Sequence, residues 1–316
     1  MSNAPQTNPN PHNAKAFGAL DIGGTKIEAA LFDQQLEPVA KHRIDTPKGS
    51  YRDFLQGIED QVAWLRKTSG GELPVGICTP GVVSPTTGTI FTANLPASGH
   101  PLSTDLSARL NQPVPVENDA SCFTLSEAIG GAGDGYKTVF GLILGTGVGG
   151  GVAIDGQLHM GLNGLPGEVG HTSLPAHLVQ KYNLPVVRCG CGRMGCYETL
   201  VAGPGLTRLA EHVSGETIPS SYIVERAADG DDAMREVMAI WASLAGELVH
   251  MIQLTVDPDI IVLGGGLSRI PDVADMLLKA FEPAKLPGML SLRIAVARYG
   301  DASGARGAAL LASRAA

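Results

Sequence analysis

Apolar residues in this chain fall mainly into short runs punctuated by glycine, with a few longer runs of helical period. Ala16–Leu20 is the first short run; it enters Asp21-Ile22-Gly23-Gly24-Thr25-Lys26 and emerges as Ile27–Phe32. Neither flank has a 3.6-residue period, which predicts strand, glycine turn, strand. Neither G-x-G-x-x-G nor G-x-x-x-x-G-K-[ST] occurs there, so a glycine turn that opens a helix is not expected. The design returns later. Val139–Leu144 reads as a strand, Gly145-Thr146-Gly147-Val148-Gly149-Gly150-Gly151 as a glycine turn, and Val152–Ile154 as the returning strand.

Between the two units, Leu73–Val83 reads as a strand ending in a Pro80-Gly81 turn, and Asn94–Gly99 as a loop. Leu102–Leu110 predicts a helix, Val114–Val116 a short strand ending in Glu117-Asn118-Asp119-Ala120, and Ser121–Ile129 a second helix. The run Gly130–Gly135 then predicts a flexible join. Further on, Val237, Trp241, Leu244, Leu248 and Ile252 recur at three- and four-residue steps, predicting an amphipathic helix over Met234–Thr255. Asp257-Pro258 stops it, and Ile260–Leu263 is a buried strand running into Gly264-Gly265-Gly266. An alanine-rich helix, Ser303–Ala315, closes the chain.

A hairpin turn carrying glycines and threonine points backbone N–H groups and a hydroxyl at an anion. The duplicated turns are therefore phosphate candidates: Asp21, Gly23, Gly24, Thr25 and Lys26 in the first, Gly145, Thr146, Gly147, Gly149 and Gly150 in the second. The third turn, Gly264-Gly265-Gly266, suits close contact with a flat base or ribose. Duplication predicts two similar α/β domains facing each other across a nucleotide cleft. The expected division is a disordered tail over 1–15 and a small domain over 16–118, joined by the C-terminal helix from about residue 303. A large domain follows over 119–302.

Composition adds bounds. With 316 residues and 44% hydrophobic content, the chain can bury a large core. A net charge of −8 gives no general attraction to nucleic acid or anionic membrane. No uninterrupted apolar run is long enough to span a bilayer, and the Asn/Pro-rich start is not a signal peptide. These features point to the cytoplasm, with no nucleic-acid or membrane partner. The 41 glycines exceed ordinary usage and cluster, as turns that approach a ligand closely would require.

One stretch carries a second chemistry. Glu168-Val169-Gly170-His171 is followed by Cys189-Gly190-Cys191-Gly192-Arg193-Met194-Gly195-Cys196-Tyr197-Glu198, which holds three of the five cysteines. His171, Cys189, Cys191 and Cys196 make a closed four-ligand zinc set, structural rather than catalytic; a redox pair or separate buried thiols is the alternative. A metal over 168–198 would also fix Glu168 and Glu198. These carboxylates, with the second nitrogen of His171, suit sugar hydroxyls. Asn94 and Asn118 could each pair with vicinal hydroxyls. Asp119 is either a general base at a strand end or a helix N-cap. Asp21 is either a turn residue or an orienter of Mg²⁺ through water. Cys78 and Cys122 read as core.

With these motifs assembled, Phe17–Ala312 resembles the ROK family of sugar kinases. The likeness rests on Asp21–Thr25, Leu144–Gly150, Glu117–Ala120, Gly167–His171 and Cys189–Glu198. It implies an actin/hexokinase-like (ribonuclease H-like) duplicated ATPase fold, MgATP as donor, a structural Zn²⁺ and a homodimer. It also implies that Asp119 deprotonates a sugar hydroxyl. Gly81, Asn94, Asn118, Glu168, His171 and Glu198 would contact the sugar, and Gly264, Gly265 and Gly266 the adenosine. Within the family, Ala93–Leu102, Asp105–Leu110, Val256–Ser268 and Tyr299–Ala309 look most like the bacterial N-acetylglucosamine kinases, although fructokinases share several of these stretches. Val169 stands where relatives often carry an aromatic residue, and Leu95-Pro96 lies where many carry a tryptophan nearby. Both alter the expected sugar pocket. The family also contains sugar-responsive repressors, but those place a DNA-binding domain ahead of the first phosphate turn.

Overall fold

A computed structural model describes residues 16–315; the tail expected over 1–15 lies outside the described residues. The chain forms two compact units. The first takes in the chain up to Cys122, the short segment Leu162–Gly164 and the chain from Gly304 onward.

In this unit the first glycine turn lies between β1 (Phe17–Ile22) and β2 (Lys26–Phe32), which pair antiparallel from Phe17↔Phe32 to Ile22↔Ile27. β3 (Pro38–Asp45) flanks β2, and β4 (Val75–Thr79) lies parallel to β1. A small ladder, β5 (Val82–Val83) with β6 (Ile90–Phe91), follows the Pro80-Gly81 turn. β7 (Val116–Asn118) completes a five-stranded sheet in the order β3-β2-β1-β4-β7.

Helix α1 (Tyr51–Ser69) covers one face of the sheet. Ser50 and Asp53 form a capping box at its start, and Gly70 ends it at φ 82°. Its Phe54, Ile58, Val62 and Leu65 pack with Leu20, Ile27 and Ile77. Helix α2 (Leu102–Leu110) joins the same core, and helix α3 (Asp119–Ala128) follows β7 directly. The C-terminal helix Ser303–Ala315 lies on the other face, over Ala19, Ala30, Cys78 and Cys122. Close backbone approach explains two glycines here. A Cβ on Gly76 would strike the Ala308 carbonyl, and one on Gly307 the Cys122 carbonyl. Cys78 and Cys122 are core, as expected.

The second unit, Phe123–Gly161 with Leu165–Ser303, repeats the opening motif. β8 (Thr138–Leu144) and β9 (Val148–Ile154) pair antiparallel, and β10 (Gln157–Leu158), β11 (Ile260–Gly264) and β12 (Ile294–Val296) complete a sheet in the order β10-β9-β8-β11-β12. α4 (Ala176–Tyr182), α5 (Glu198–Val201), α6 (Gly203–Ser214) and α7 (Ser220–Ala228) lead to α8 (Asp232–Val256) and α9 (Val273–Phe281). The C-terminal helix is then α10. α8 is long and apolar enough, by length and composition, to cross a membrane. Here its Val237, Trp241, Leu244 and Leu248 are core, and the Trp241 indole donates to the Val201 carbonyl at 2.9 Å.

Two expectations change. The second glycine turn is shorter than predicted: Gly149, Gly150 and Gly151 lie inside β9, opposite Ile143, Leu142 and Gly141. The expected flexible join at Gly130–Gly135 lies inside the second unit, because the units divide after Cys122, within α3. That glycine run is tied down by Glu127, which is fully buried. The Glu127 carboxylate accepts from the N–H groups of Ala132, Arg298 and Tyr299 and from the Ser303 hydroxyl, at 2.7–3.1 Å. A buried carboxyl group with four donors is a structural anchor. The sequence gives no local sign of it, because three of its partners lie some 170 residues away.

Candidate active site

The first unit gathers its candidate groups where parallel strands end. Asp21, Cys78 and Glu117 stand side by side across β1, β4 and β7. In such sheets, ligands bind beyond the carboxyl ends of the strands. The Asp21 carboxyl is raised above its ordinary range by burial and bonds the Cys78 thiol. Its Oδ2 lies 3.9 Å from where a Cβ on Gly304 would stand. The first glycine turn is a tight loop: Gly23 N–H donates to the Lys26 carbonyl at 2.8 Å, and the Thr46 hydroxyl to the Gly23 carbonyl at 2.7 Å. Asn94 approaches it, its Cβ lying 3.4 Å from the Cβ position of Gly24. Asn94 also lines a cavity of about 270 Å³ with Lys48, Ala93, Leu95 and Pro96.

Asp119 Oδ1 accepts from Ala120 N–H at 2.8 Å, sharing that donor with Asn118. Asn118 Oδ1 accepts from the N–H groups of Ala120 (2.8 Å) and Ser121 (3.2 Å), so Asn118 caps α3. Its Nδ2 donates to the Gly81 carbonyl at 2.8 Å, holding a turn in which Gly81 has φ 110°. Both ends of this carboxamide are engaged within the protein. Asn118 thus positions its neighbours with one of its two Nδ2 hydrogens engaged. Asp119 follows as the exposed first residue of α3. Glu117, one residue before the cap, has its carboxyl pushed up to about 7 by burial.

The second unit brings together the cysteine segment, the two carboxylates and two glycine turns. Cys189, Cys191, Cys196 and His171 place their donor atoms within 4.8 Å of one another. His171 Nδ1 is 3.5 Å from Cys189 Sγ, and Cys191 Sγ is 3.7 Å from Cys196 Sγ. A tetrahedral ion with Zn–S of about 2.3 Å and Zn–N of about 2.05 Å requires separations of about 3.6 Å (N···S) and about 3.8 Å (S···S). The donor set fits zinc. Local backbone builds it: Ser173 bridges to Cys196, and Gly192 and Gly195 take φ of 89° and 66°. With the protein's own groups alone, burial pushes the Cys189 thiol up to about 12 and raises Cys196, while the Arg193 N–H lowers Cys191. A bound Zn²⁺ would deprotonate all three.

With Nδ1 facing the metal position, His171 turns Nε2 toward Glu168, 3.8 Å from its Oε2. Burial raises the Glu168 carboxyl, His171 opposes that shift, and Glu198 adds to it. The three groups therefore act on one another. Glu198 also reaches the phosphate turn: its Oε2 accepts from Val148 N–H at 3.0 Å and lies 2.7 Å from the Cβ position of Gly147. The Glu168 segment lies against β9, because a Cβ on Gly167 would strike the Gly150 backbone and one on Gly170 the Val148 carbonyl. The third turn meets the second, with Gly265 Cα 3.8 Å from the Cβ position of Gly145. Beside them opens a cavity of about 630 Å³ lined by Gly145, Thr146, Gly203, Pro204, Ser220 and Leu267, among others.

The ROK family model matches residues 17–315. The chain belongs to the ROK family. It is 41% identical to the N-acetylgalactosamine kinase AgaK of Shewanella sp. (strain ANA-3), over 93% of this chain and 96% of that protein. It is also 41% identical to the N-acetyl-D-glucosamine kinase of Pectobacterium atrosepticum, over 93% of this chain and 98% of that one. A ROK hexokinase from Thermus thermophilus superposes with a TM-score of 0.83 at 30% identity, covering 95% of this chain and 98% of the other. The α/β architecture is accordingly the hexokinase-like one expected.

Within this ROK chain, two candidate phosphate residues and one adenosine candidate carry other duties. The Lys26 ammonium pairs with Asp45. Gly150 is a close-packing residue, since a Cβ there would meet the Gly141 carbonyl at 2.5 Å and the Phe140 ring. Gly264 is another, facing the Phe123 ring. The strand reading of Gly149 likewise takes it out of the turn. Sequence reasoning missed the cavity walls contributed by α6 and α7. Their Pro204 and Pro219 stand at helix starts, and this was the only local signal they offered.

Proposed function

We propose that the protein is an N-acetylhexosamine kinase. It transfers the γ-phosphoryl group of MgATP to the 6-hydroxyl of N-acetyl-D-glucosamine. One observation carries this reading: Glu168, His171 and Glu198 converge on a phosphate turn to which Glu198 is itself bonded. Acceptors for sugar hydroxyls and donors for a phosphate are thus built into one piece of structure. Relatives at 41% identity, named for the two C4-epimeric N-acetylhexosamines, supply the acceptor class. N-acetylgalactosamine is the second reading, favoured by the first of those relatives.

In this reading Asp119 takes the proton of the 6-hydroxyl as its oxygen attacks the γ-phosphorus. The Ala120 N–H bonds that carboxylate, Asn118 and Gly81 shape the turn beside it, and Asn94 adds a sugar contact. The turns at Gly23–Thr25 and Gly145–Gly147 meet the phosphates with backbone N–H groups. Asp21 stands at the first turn to meet the water shell of the Mg²⁺ that accompanies ATP. Catalysis then rests on positioning and charge stabilisation. Zinc, when bound, supplies a rigid closed centre that orients His171 and its neighbours. We place the enzyme in the cytoplasm, where its thiols stay reduced, and expect a homodimer.

The test is sugar-dependent ADP release with N-acetylglucosamine, N-acetylgalactosamine, N-acetylmannosamine, glucose and fructose. The two N-acetylhexosamines named above should give the highest kcat/KM. Asp119→Ala should bind sugar normally and lose about 10²–10⁴ in kcat. Full turnover in that variant would remove Asp119 as the base.

A further inference from the structure

The cavity beside the Gly145–Gly147 turn has walls whose chemistry decides how finely a nucleobase is read. Among the described residues lining it, none has a carboxylate or carboxamide side chain. Beyond Thr146, the polar side chains are the hydroxyls of Thr207, Ser220 and Ser221 and the guanidinium of Arg269. None of these three hydroxyls makes a hydrogen bond with another described residue. A serine or threonine hydroxyl rotates to donate or accept as its partner demands. Adenine offers an amino donor at C6 where guanine offers a carbonyl acceptor, and N7 is an acceptor in both. A side chain of fixed sense separates the two bases; a free hydroxyl satisfies either. Arg269 carries donors only and is held by Asp301, so what it can offer a base suits the shared N7. The remaining wall, with Pro204, Pro219, Val224, Leu267 and Ile270, grips a flat ring by shape.

We propose that this kinase uses purine nucleoside triphosphates generally as phosphoryl donors, GTP as well as ATP. The inference deepens the kinase reading above and rests on it for the acceptor. The reaction is unchanged in its balance: the sugar 6-oxygen bonds to the γ-phosphorus, the bond from that phosphorus to the β,γ-bridging oxygen breaks, the hydroxyl proton passes to Asp119, and GDP leaves in place of ADP.

The full-length protein would be assayed with N-acetylglucosamine and either ATP or GTP, with sugar phosphate quantified directly by mass spectrometry. The expected kcat/KM for GTP lies within about tenfold of that for ATP. A site that reads its ligand through hydrogen bonds of fixed sense rejects the mismatched analogue by about 10⁴, so a GTP deficit above about a hundredfold overturns the proposal. Calorimetric titration with ADP and GDP tests the cavity without turnover. Dissociation constants within tenfold support the proposal even if no sugar is phosphorylated, in which case the kinase reading alone fails. Ser220→Ala and Ser221→Ala should leave the GDP/ADP ratio within about threefold; a selective loss of GDP beyond tenfold in either variant would also overturn it.

Discussion

Glu198 offers the sharpest separation of structural from functional roles. Its Oε2 accepts from Val148 N–H at 3.0 Å, and its Oε1 lies 3.6 Å from the Cys189 thiol. Val148 is 3% exposed. Glu198→Ala therefore strands a buried N–H next to the phosphate turn, a loss worth about 1–3 kcal/mol. For a unit of this size each kcal/mol moves Tm by about 2–4 °C, so the expected drop is roughly 2–12 °C. Glu198→Gln keeps a carbonyl oxygen for the same N–H, and its drop should stay below about 1 kcal/mol. The carboxamide nevertheless gives up the charge that strengthens a bond to a sugar hydroxyl, a difference of about 1–3 kcal/mol, or about 5–150-fold in sugar KM. Calorimetric unfolding and steady-state kinetics on both variants supply the two readouts. Equal Tm losses in the two variants would show that the bond to Val148 does not hold the turn. An unchanged sugar KM in Glu198→Gln would take Glu198 out of the sugar site.

Three further outcomes are expected. The purified protein should carry stoichiometric zinc by elemental analysis; chelation or Cys191→Ser should raise sugar KM before it weakens nucleotide binding, and an unchanged sugar KM would reduce the metal to a remote staple. Burial raises Glu117 from 4.5 to about 7. A raised carboxyl contributes stability that is fully present below its unfolded pKa and is lost as pH climbs toward 7, by about 1–3 kcal/mol. Glu117→Gln should accordingly raise Tm at pH 8 relative to wild type but not at pH 4.5, and equal effects at both pH values would contradict the assignment. Gly170→Ala should cost at least about 1–3 kcal/mol by forcing a Cβ onto the Val148 carbonyl. Gly71→Ala, where a Cβ meets nothing within 4 Å, should be neutral or stabilising by up to about 1 kcal/mol, so unfolding midpoints of opposite sign are the check.

What was legible in the chain was mostly local. A strand–turn–strand unit is written in adjacent residues, so both phosphate hairpins and the strand before Gly264 emerged from apolar runs and glycines alone. The zinc set was legible for the same reason, since three of its ligands fall within one short turn. Helix α1 carries equally local signals, the Ser50/Asp53 capping box and apolar residues at Phe54, Ile58, Val62 and Leu65, which the sequence reading passes over. Glu127 is different. Nothing near it in sequence distinguishes it from a solvated glutamate, because the groups that make it an anchor come from Arg298, Tyr299 and Ser303. The expected flexible join at Gly130–Gly135 failed with it.

The glycines show why the boundary between legible and illegible runs where it does. A glycine is selected either because its φ is positive or because another backbone or ring needs the space of its Cβ. Gly265, at φ 80° and with its Cβ position 2.5 Å from the Leu144 carbonyl oxygen, meets both conditions. Gly150 meets only the second: it lies within a strand, and its requirement comes from Phe140 and Gly141. The two cases give the same letter in a sequence. A run such as Gly145–Gly151 therefore reads as one long anion loop, although only its first three residues form the turn. Gly167 and Gly170, not that run, let the segment bearing Glu168 approach the strand that follows the phosphate turn. Glycine density in such a chain thus measures how closely its backbones must approach, and assigning a phosphate to any one glycine requires the partner atom, which only the folded chain supplies.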